Sequence, residues 1–232
     1  ELWRCLRAGI PAERIVFSGV GKTAEEIAEA LDAGVARFNV ESSDELQLLQ
    51  CIASERNVIA RASARINPDI DALTHAKIST GKSENKFGVG IDEARGWFAG
   101  GAALTHVRLD GLHVHIGSQM WSLDPSRAAL QRVADFWREL AGAEHAIRSV
   151  DVGGGLGVRY RAGHDHPVSI DDYAGAIREA GVEVEVHCAH GEPPQAICFA
   201  AHETKADLDA IVELERAGLQ HYFDKSTGHS NF

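Results

Sequence analysis

The order of apolar and polar residues predicts strands and helices that follow one another along the chain. Arg14-Ile-Val-Phe17 is a short apolar run typical of a buried strand. Thr23 is a suitable N-cap for a helix over 24–33, and Gly34 is suited to end that helix. The same patterns predict further strands at 36–40, 58–66, 107–116 and 148–152, and further helices at 1–8, 43–56, 92–99 and 126–140.

Polar residues recur where the predicted strands end. Alternating strands and helices fit both a doubly wound sheet and a βα barrel. Barrel active sites draw on many strand ends, whereas a doubly wound sheet concentrates its ligands at one point in the strand order. The sequence therefore predicts an α/β fold of the TIM-type βα barrel kind. The polar strand ends are Glu41-Ser42, Arg65-Ile-Asn67, His115-Ile-Gly-Ser118 and Gly153-Gly-Gly155.

Length, charge and cysteine content narrow the class of protein. With 232 residues the chain can build one sizeable core, and a single barrel would use most of that length. The formal net charge of -11 argues against nonspecific binding to nucleic acid. No apolar run approaches the roughly 18 residues of a membrane helix. The four cysteines have no framework spacing, so we expect reduced thiols in a cytoplasmic protein that binds no membrane.

Two histidines lie close together in the predicted strand at 107–116. His113 and His115 share one face of that strand, and the apolar residues around them share the other. Because the apolar face must pack under the outer helices, both imidazoles should point to the barrel interior. Satisfied core histidines would look the same. Gly117 and Ser118 follow with exposed backbone N–H groups and a hydroxyl, so a ligand site is the other interpretation.

A run of glycines follows the predicted strand at 148–152, in the segment Asp151-Val-Gly-Gly-Gly-Leu-Gly157. Consecutive glycines let backbone N–H groups converge on an anion without interference from Cβ atoms. A plain tight turn is the alternative. The spacing does not match a dinucleotide fingerprint, and no helix start follows it. We therefore favour a phosphate site at the end of a barrel strand.

Two other segments contain residues typical of ligand sites but lack the required spacing. Gly81-Lys82-Ser83 would need a glycine five residues earlier to form a P-loop, and Ala76 stands there. A later group of metal-capable residues matches neither a zinc finger nor a zinc deaminase. The sequence therefore predicts no metal site. The metal-capable residues are His187, His190, Glu192, Cys198 and His202.

Four blocks of sequence resemble the diaminopimelate decarboxylases, the lysine-forming members of the alanine racemase-like barrels, or group IV decarboxylases. The resemblance covers about residues 1–180. The second block, with its Thr-His, Thr-Gly and Lys-Phe-Gly elements, separates the chain from ornithine-type decarboxylases, which share only the histidine and glycine blocks. The four blocks are 14–23, 65–88, 111–119 and 151–157.

The resemblance implies both a function and a site. The function would be decarboxylation of meso-diaminopimelate, a small amino-acid substrate, to lysine, with pyridoxal 5'-phosphate as cofactor. His115 would be catalytic and would stack on the pyridine ring, while Ser118 and Gly153–Gly155 would hold the phosphate. Arg65 would lie near the cofactor. Lys86 would reach toward the partner in a full-length homodimer.

The chain also departs from that family. The family's Schiff-base lysine would precede Glu1, and no lysine here has the expected Val-Lys-Ala setting. Glu192-Pro-Pro-Gln195 lacks the glycine and arginine of the family's Glu-Pro-Gly-Arg segment, and the family's second, β-rich domain is missing. We therefore expect an incomplete cofactor-binding barrel at 1–180, an atypical tail at 181–232 that adds one βα unit, and no activity from the chain alone.

Two alternatives to this function stay open. One is an ornithine, arginine or carboxynorspermidine decarboxylase, and the other is a noncatalytic barrel that binds pyridoxal phosphate. An incomplete barrel also leaves one sheet edge open. We expect Ile197–Phe199 to pair in parallel with a barrel strand, and a helix at 204–217 to pack on its outer face.

Overall fold

A computed structural model describes residues 1–70, 87–118, 120–157, 167–180 and 197–199. Residues 197–199 are described by their backbone alone. The strands are β1 (Ile15–Phe17), β2 (Arg37–Val40), β3 (Ala60–Arg65), β4 (Val107–His113), β5 (Ser149–Asp151) and β6 (Ile197–Phe199). The helices are α1 (Leu2–Arg7), α2 (Ala24–Ala33), α3 (Ser43–Glu55), α4 (Ile91–Ala99), α5 (Asp124–Gly142) and α6 (Ile170–Glu179).

The strands form one parallel sheet in the order β5-β4-β3-β2-β1-β6. The first five strands follow chain order without the reversal that defines a doubly wound sheet. The last strand lies beside the first, as in a barrel. The chain is an incomplete α/β barrel, as predicted. The pairing of Ile197–Phe199 with Ile15–Phe17 confirms the expected parallel strand, and the helix expected at 204–217 lies outside the described residues.

A hydrogen bond across the interior shows how strongly the sheet curls. Asn39 on β2 donates from Nδ2 to Oδ2 of Asp151 on β5 at 2.8 Å. Those strands are three positions apart, which in a flat sheet would separate them by about 14 Å. The concave face is therefore a closed-in interior, and its buried residues are mainly polar. They include Arg37, Asn39, Ser63, Arg65, Asp110 and His113.

The convex face of the sheet is apolar and packs on the helices. Phe38, Val40 and Leu112 are almost fully buried in one core with side chains of α3, α4 and α5. The alternation predicted on β4 is confirmed, because Leu112 lies in this core while His113 lies on the polar side. No helix within the described ranges is long and apolar enough to cross a membrane.

The sequence predicted the ends of some helices and strands correctly and the ends of others incorrectly. The helix predicted at 24–33 is α2, with Thr23 and Glu26 in a reciprocal capping box and Gly34 in the left-handed region at φ 80°. The strand predicted at 107–116 is shorter, since β4 ends at His113. Helix α6 was not predicted, although Ser169 caps it by accepting from the Asp172 backbone N–H.

Candidate functional site

Two loops meet at the carboxyl ends of the adjacent strands β4 and β5. The first is 114–118 and the second, called the glycine loop below, is Gly153–Gly155. A Cβ atom at Gly153 would collide with the carbonyl oxygen of Val114, and one at Gly155 with that of Gly117. Gly153 and Gly155 also have φ values of 68° and 94°, which other residues rarely adopt. The close approach of the two loops therefore explains these two glycines.

The middle glycine has a different surrounding. Gly154 is exposed, and a Cβ atom there would meet nothing within 4 Å. Its backbone N–H donates to Nδ1 of His115 over a long 3.4 Å, so the imidazole lies against the glycine loop. The structure thus brings His115 and Gly153–Gly155 together, as predicted. Ser118 is half-buried in the same loop as His115.

Arg65 ends β3 and is held by a partner that the sequence did not indicate. Its Nη1 donates to Oε1 of Glu41 at 2.5 Å, and both side chains are buried. The ring of Phe87 lies 5.3 Å from the guanidinium carbon. Arg65 Nε and Glu41 Oε2 have no hydrogen-bond partner within the described part of the chain. These two atoms leave a donor and an acceptor at the strand ends for a bound group.

Burial and positive charge keep both histidines neutral. Burial is the main cause of the lowered pKa of His115, the charge of Arg65 lowers it further, and Asp151 opposes the shift. Burial lowers the pKa of His113 to about 4, and Arg65 again adds to the shift. At neutral pH each imidazole therefore has one ring nitrogen that accepts and one that donates.

Lys22 is the one lysine in the described ranges, and its ammonium group is fully engaged. Nζ donates to the carbonyl oxygens of Gly19 at 2.6 Å and Asn39 at 2.7 Å, and to Oε1 of Glu45 at 2.6 Å. Its side chain is only 1% exposed. Because an ammonium has three hydrogens to donate, Lys22 ties the segment after β1 to β2 and α3 and offers no free amine.

Several predicted residues cannot be placed. Lys86 and most of the loop that contains it lie outside the described residues, as do His187, His190, Glu192 and His202. Within the described ranges, no group of three or more histidine, cysteine, aspartate or glutamate side chains is arranged to hold a metal.

The residues at the strand ends fit a phosphorylated aromatic ligand. Gly154 faces open space between two tightly packed loops, so a phosphate can approach the backbone there without meeting a side chain. A neutral imidazole lies beside that loop and presents a flat surface for stacking. The unpaired Nε of Arg65 supplies a further donor and a positive charge.

Comparison with known proteins identifies the family of the chain. Residues 1–198 match the family model described as "Pyridoxal-dependent decarboxylase, pyridoxal binding domain". The chain is 50% identical to a diaminopimelate decarboxylase of Pseudomonas aeruginosa over 179 residues, which is 77% of this chain and 43% of that protein. It is 40% identical to a diaminopimelate decarboxylase of Helicobacter pylori over 237 residues, covering 99% of this chain and 58% of that protein.

Solved structures show the same likeness. The crystal structure of diaminopimelate decarboxylase from Helicobacter pylori complexed with L-lysine matches 79% of this chain and 46% of its own, with a TM-score of 0.72 and 44% identity. A lysine/ornithine decarboxylase from Vibrio vulnificus shares the fold with a TM-score of 0.62 at 20% identity. The chain spans roughly half the length of these proteins. It belongs to the family of pyridoxal-dependent decarboxylases, of which it carries the pyridoxal binding domain.

Proposed function

We propose that the chain forms the cofactor-binding barrel of an enzyme that decarboxylates meso-diaminopimelate to lysine. The observation that carries the proposal is the contact between the glycine loop and His115 at the ends of β4 and β5. The names of the relatives, and the L-lysine bound in the Helicobacter pylori structure, support the substrate. A homodimeric, cytoplasmic whole protein, with the barrel at 1–180 and the tail at 181–232, completes the proposal.

Each residue at the site has a separate task in this proposal. The glycine loop and Ser118 bind the phosphate through the Ser118 hydroxyl and the N–H groups of Gly154 and Gly155, while the N–H of Gly153 donates to Asp151 and holds the loop. His115 stacks on the ring in its neutral form. Arg65, oriented by Glu41, places a positive charge beside the site. Pyridoxal phosphate, when bound, supplies the electron sink that makes loss of carbon dioxide from the amino acid possible.

A substitution at Gly154 tests the cofactor site. Gly154→Ala should fold as well as the unaltered chain, because a Cβ atom there meets nothing within 4 Å. The methyl group would occupy the space in which the phosphate binds. We therefore expect affinity for pyridoxine 5'-phosphate, measured by calorimetry, to fall at least about tenfold. This ligand has no aldehyde, so it cannot react with lysines outside the site.

Gly175→Ala is the matched control, since Gly175 lies in α6 and a Cβ atom there also meets open space. It should stabilise the helix by about 0.5–1 kcal/mol and leave the affinity unchanged. Unphosphorylated pyridoxine should bind much more weakly than its phosphate. Equal affinities of the unaltered chain and Gly154→Ala would contradict the assignment of the glycine loop to the phosphate.

The substrate needs a separate assay of the whole protein. Carbon dioxide release from meso-diaminopimelate should exceed that from L-ornithine and L-arginine. A preference for ornithine or arginine would replace the proposed substrate with the ornithine or arginine type. Cofactor binding without carbon dioxide release from any of the three would instead support a noncatalytic pyridoxal-phosphate-binding barrel.

A further inference from the structure

We propose that Asp151 is a positioning residue that fixes the glycine loop in its anion-binding form. This inference rests on the proposed function, because it concerns the same phosphate site. Asp151 is the last residue of β5, and its carboxylate lies directly before the loop. It contacts the loop with one oxygen and the opposite side of the barrel interior with the other.

The first oxygen shapes the loop itself. Oδ1 of Asp151 accepts a hydrogen bond from the backbone N–H of Gly153 at 2.9 Å. A side chain that accepts from the N–H two residues later closes a local turn. Gly153 has its positive φ of 68° at this turn. The N–H of Gly153 is therefore used to hold the loop, and Gly154 follows it facing open space.

The second oxygen anchors that turn to a rigid element. Oδ2 of Asp151 accepts from Nδ2 of Asn39 at 2.8 Å. Asn39 is completely buried on β2, and its backbone oxygen accepts from Lys22. Asn39 Nδ2 also lies 3.3 Å from the hydroxyl of Ser18. Asp151 therefore ties the carboxyl end of β5 to Asn39, a buried side chain that is itself held by the sheet.

The negative charge of Asp151 and its two hydrogen bonds should have opposite effects on the affinity for phosphate. A carboxylate beside a phosphate site repels the phosphate, so removing the charge alone should tighten binding. Loss of the two hydrogen bonds should weaken binding, because the loop would have to be ordered by the ligand. The sign of the change on substitution therefore distinguishes positioning from electrostatics.

Asp151→Ala removes the charge and both hydrogen bonds in the full chain. A methyl group can accept neither from Gly153 nor from Asn39, so the loop loses its tie to β2. We expect the affinity for pyridoxine 5'-phosphate to fall about tenfold, the usual result of losing one hydrogen bond to a charged group. Asp171→Ala is the matched control, since it removes the same charge from an exposed position on α6 and should leave affinity unchanged.

An exchange of the two side chains provides the rescue. In the double variant Asn39→Asp with Asp151→Asn, the new amide can donate to the new carboxylate and still accept from Gly153. Affinity should return to within about threefold of the unaltered chain, because both hydrogen bonds are restored. A residue needed only for folding would show no such recovery in affinity between equally folded variants.

The outcomes separate this inference from the proposed function. Binding by Asp151→Ala that equals or exceeds that of the unaltered chain would overturn the inference and leave the phosphate site in place. A double variant that folds but fails to bind would also overturn the inference. This second test applies even if the single variant does not fold. Failure of the unaltered chain itself to bind the phosphate ligand would overturn both.

Discussion

At the scale of single residues, His113 is a buried imidazole held without charge. Its side chain is 3% exposed, and its Nε2 lies 4.0 Å from Oδ2 of Asp151. The contact is not an ion pair at neutral pH, because burial lowers the pKa of His113 to about 4. Asp151 opposes this shift, while the positive charges of Arg65 and Lys22 add to it. The barrel interior thus tolerates His113 only as a neutral group.

This neutral state makes the stability of the fold depend on pH. The folded-state pKa lies below the unfolded value of about 6.5, so protons bind preferentially to the unfolded chain. The free energy of unfolding should therefore fall as pH drops from about 6.5 toward 4, with each such histidine contributing up to about 1.4 kcal/mol per pH unit. His115, whose pKa is also lowered by burial, should add to this slope below pH 6.5.

His113→Gln tests that assignment. Urea unfolding between pH 7.5 and 5.0 should give a slope smaller than that of the unaltered chain by about 1 kcal/mol per pH unit, because glutamine does not titrate. For each protein, the free energy of unfolding at pH 7.5 is the reference from which the change with pH is measured. Parallel slopes for the two proteins would show that His113 does not carry the pH dependence.

At the scale of elements, the sequence predicts best those ends that nearby residues determine. Helix α2 begins and ends where Thr23 and Gly34 predicted, since a cap and a left-handed glycine act within one turn. The end of β4 at His113 depends on β5 instead. The last ladder contact there is from the backbone N–H of Val114 to the carbonyl of Asp151, a residue far along the chain. The alternation of apolar and polar residues along β4 could not by itself predict that the strand ends at His113.

The capping box of α2 offers a test at this scale. Oγ1 of Thr23 accepts from the Glu26 backbone N–H at 3.2 Å, and Glu26 Oε2 accepts from that of Thr23 at 2.8 Å. Thr23→Ala should lower the free energy of unfolding by about 1 kcal/mol, since a helix-end N–H loses its partner. Thr23→Ser keeps the hydroxyl and should cost much less. Equal losses in the two variants would assign the effect to the methyl group.

At the scale of the whole molecule, the interior is organised by polar contacts between distant segments. Arg37 pairs with Asp110 at 2.7 Å, where a bulge on β4 inserts Asp110 as an extra residue between Leu109 and Gly111. Burial lowers the pKa of Arg37, and Asp110 opposes that shift. The motifs predicted the glycine loop and His115 because both are local. They could not predict the partners of Glu41 and Asp151, because the first pair depends on the pairing of β2 with β3 and the second on the curl of the sheet.

The edge of the sheet at β1 carries the last prediction. Ile197–Phe199 pairs there in parallel, with Val16 opposite Cys198 and Phe17 opposite Phe199. An uncovered edge exposes unpaired N–H and C=O groups and invites pairing with another chain. Amides of Ile197–Phe199 should therefore be protected from hydrogen exchange about as well as those of Ser149–Asp151, since both segments lie at the ends of the same sheet.

Cys198→Pro removes a backbone N–H and cannot continue a paired strand, whereas Cys198→Ser keeps it. The proline variant should lose protection at 197–199 and speed the exchange of the amides of Val16 and Phe17, while the serine variant should behave as the unaltered chain. Exchange of 197–199 at free-peptide rates in the unaltered chain would mean that β6 does not cover β1. In that case the protected amides of β1 would have to be covered by a second copy, and their protection would rise with protein concentration.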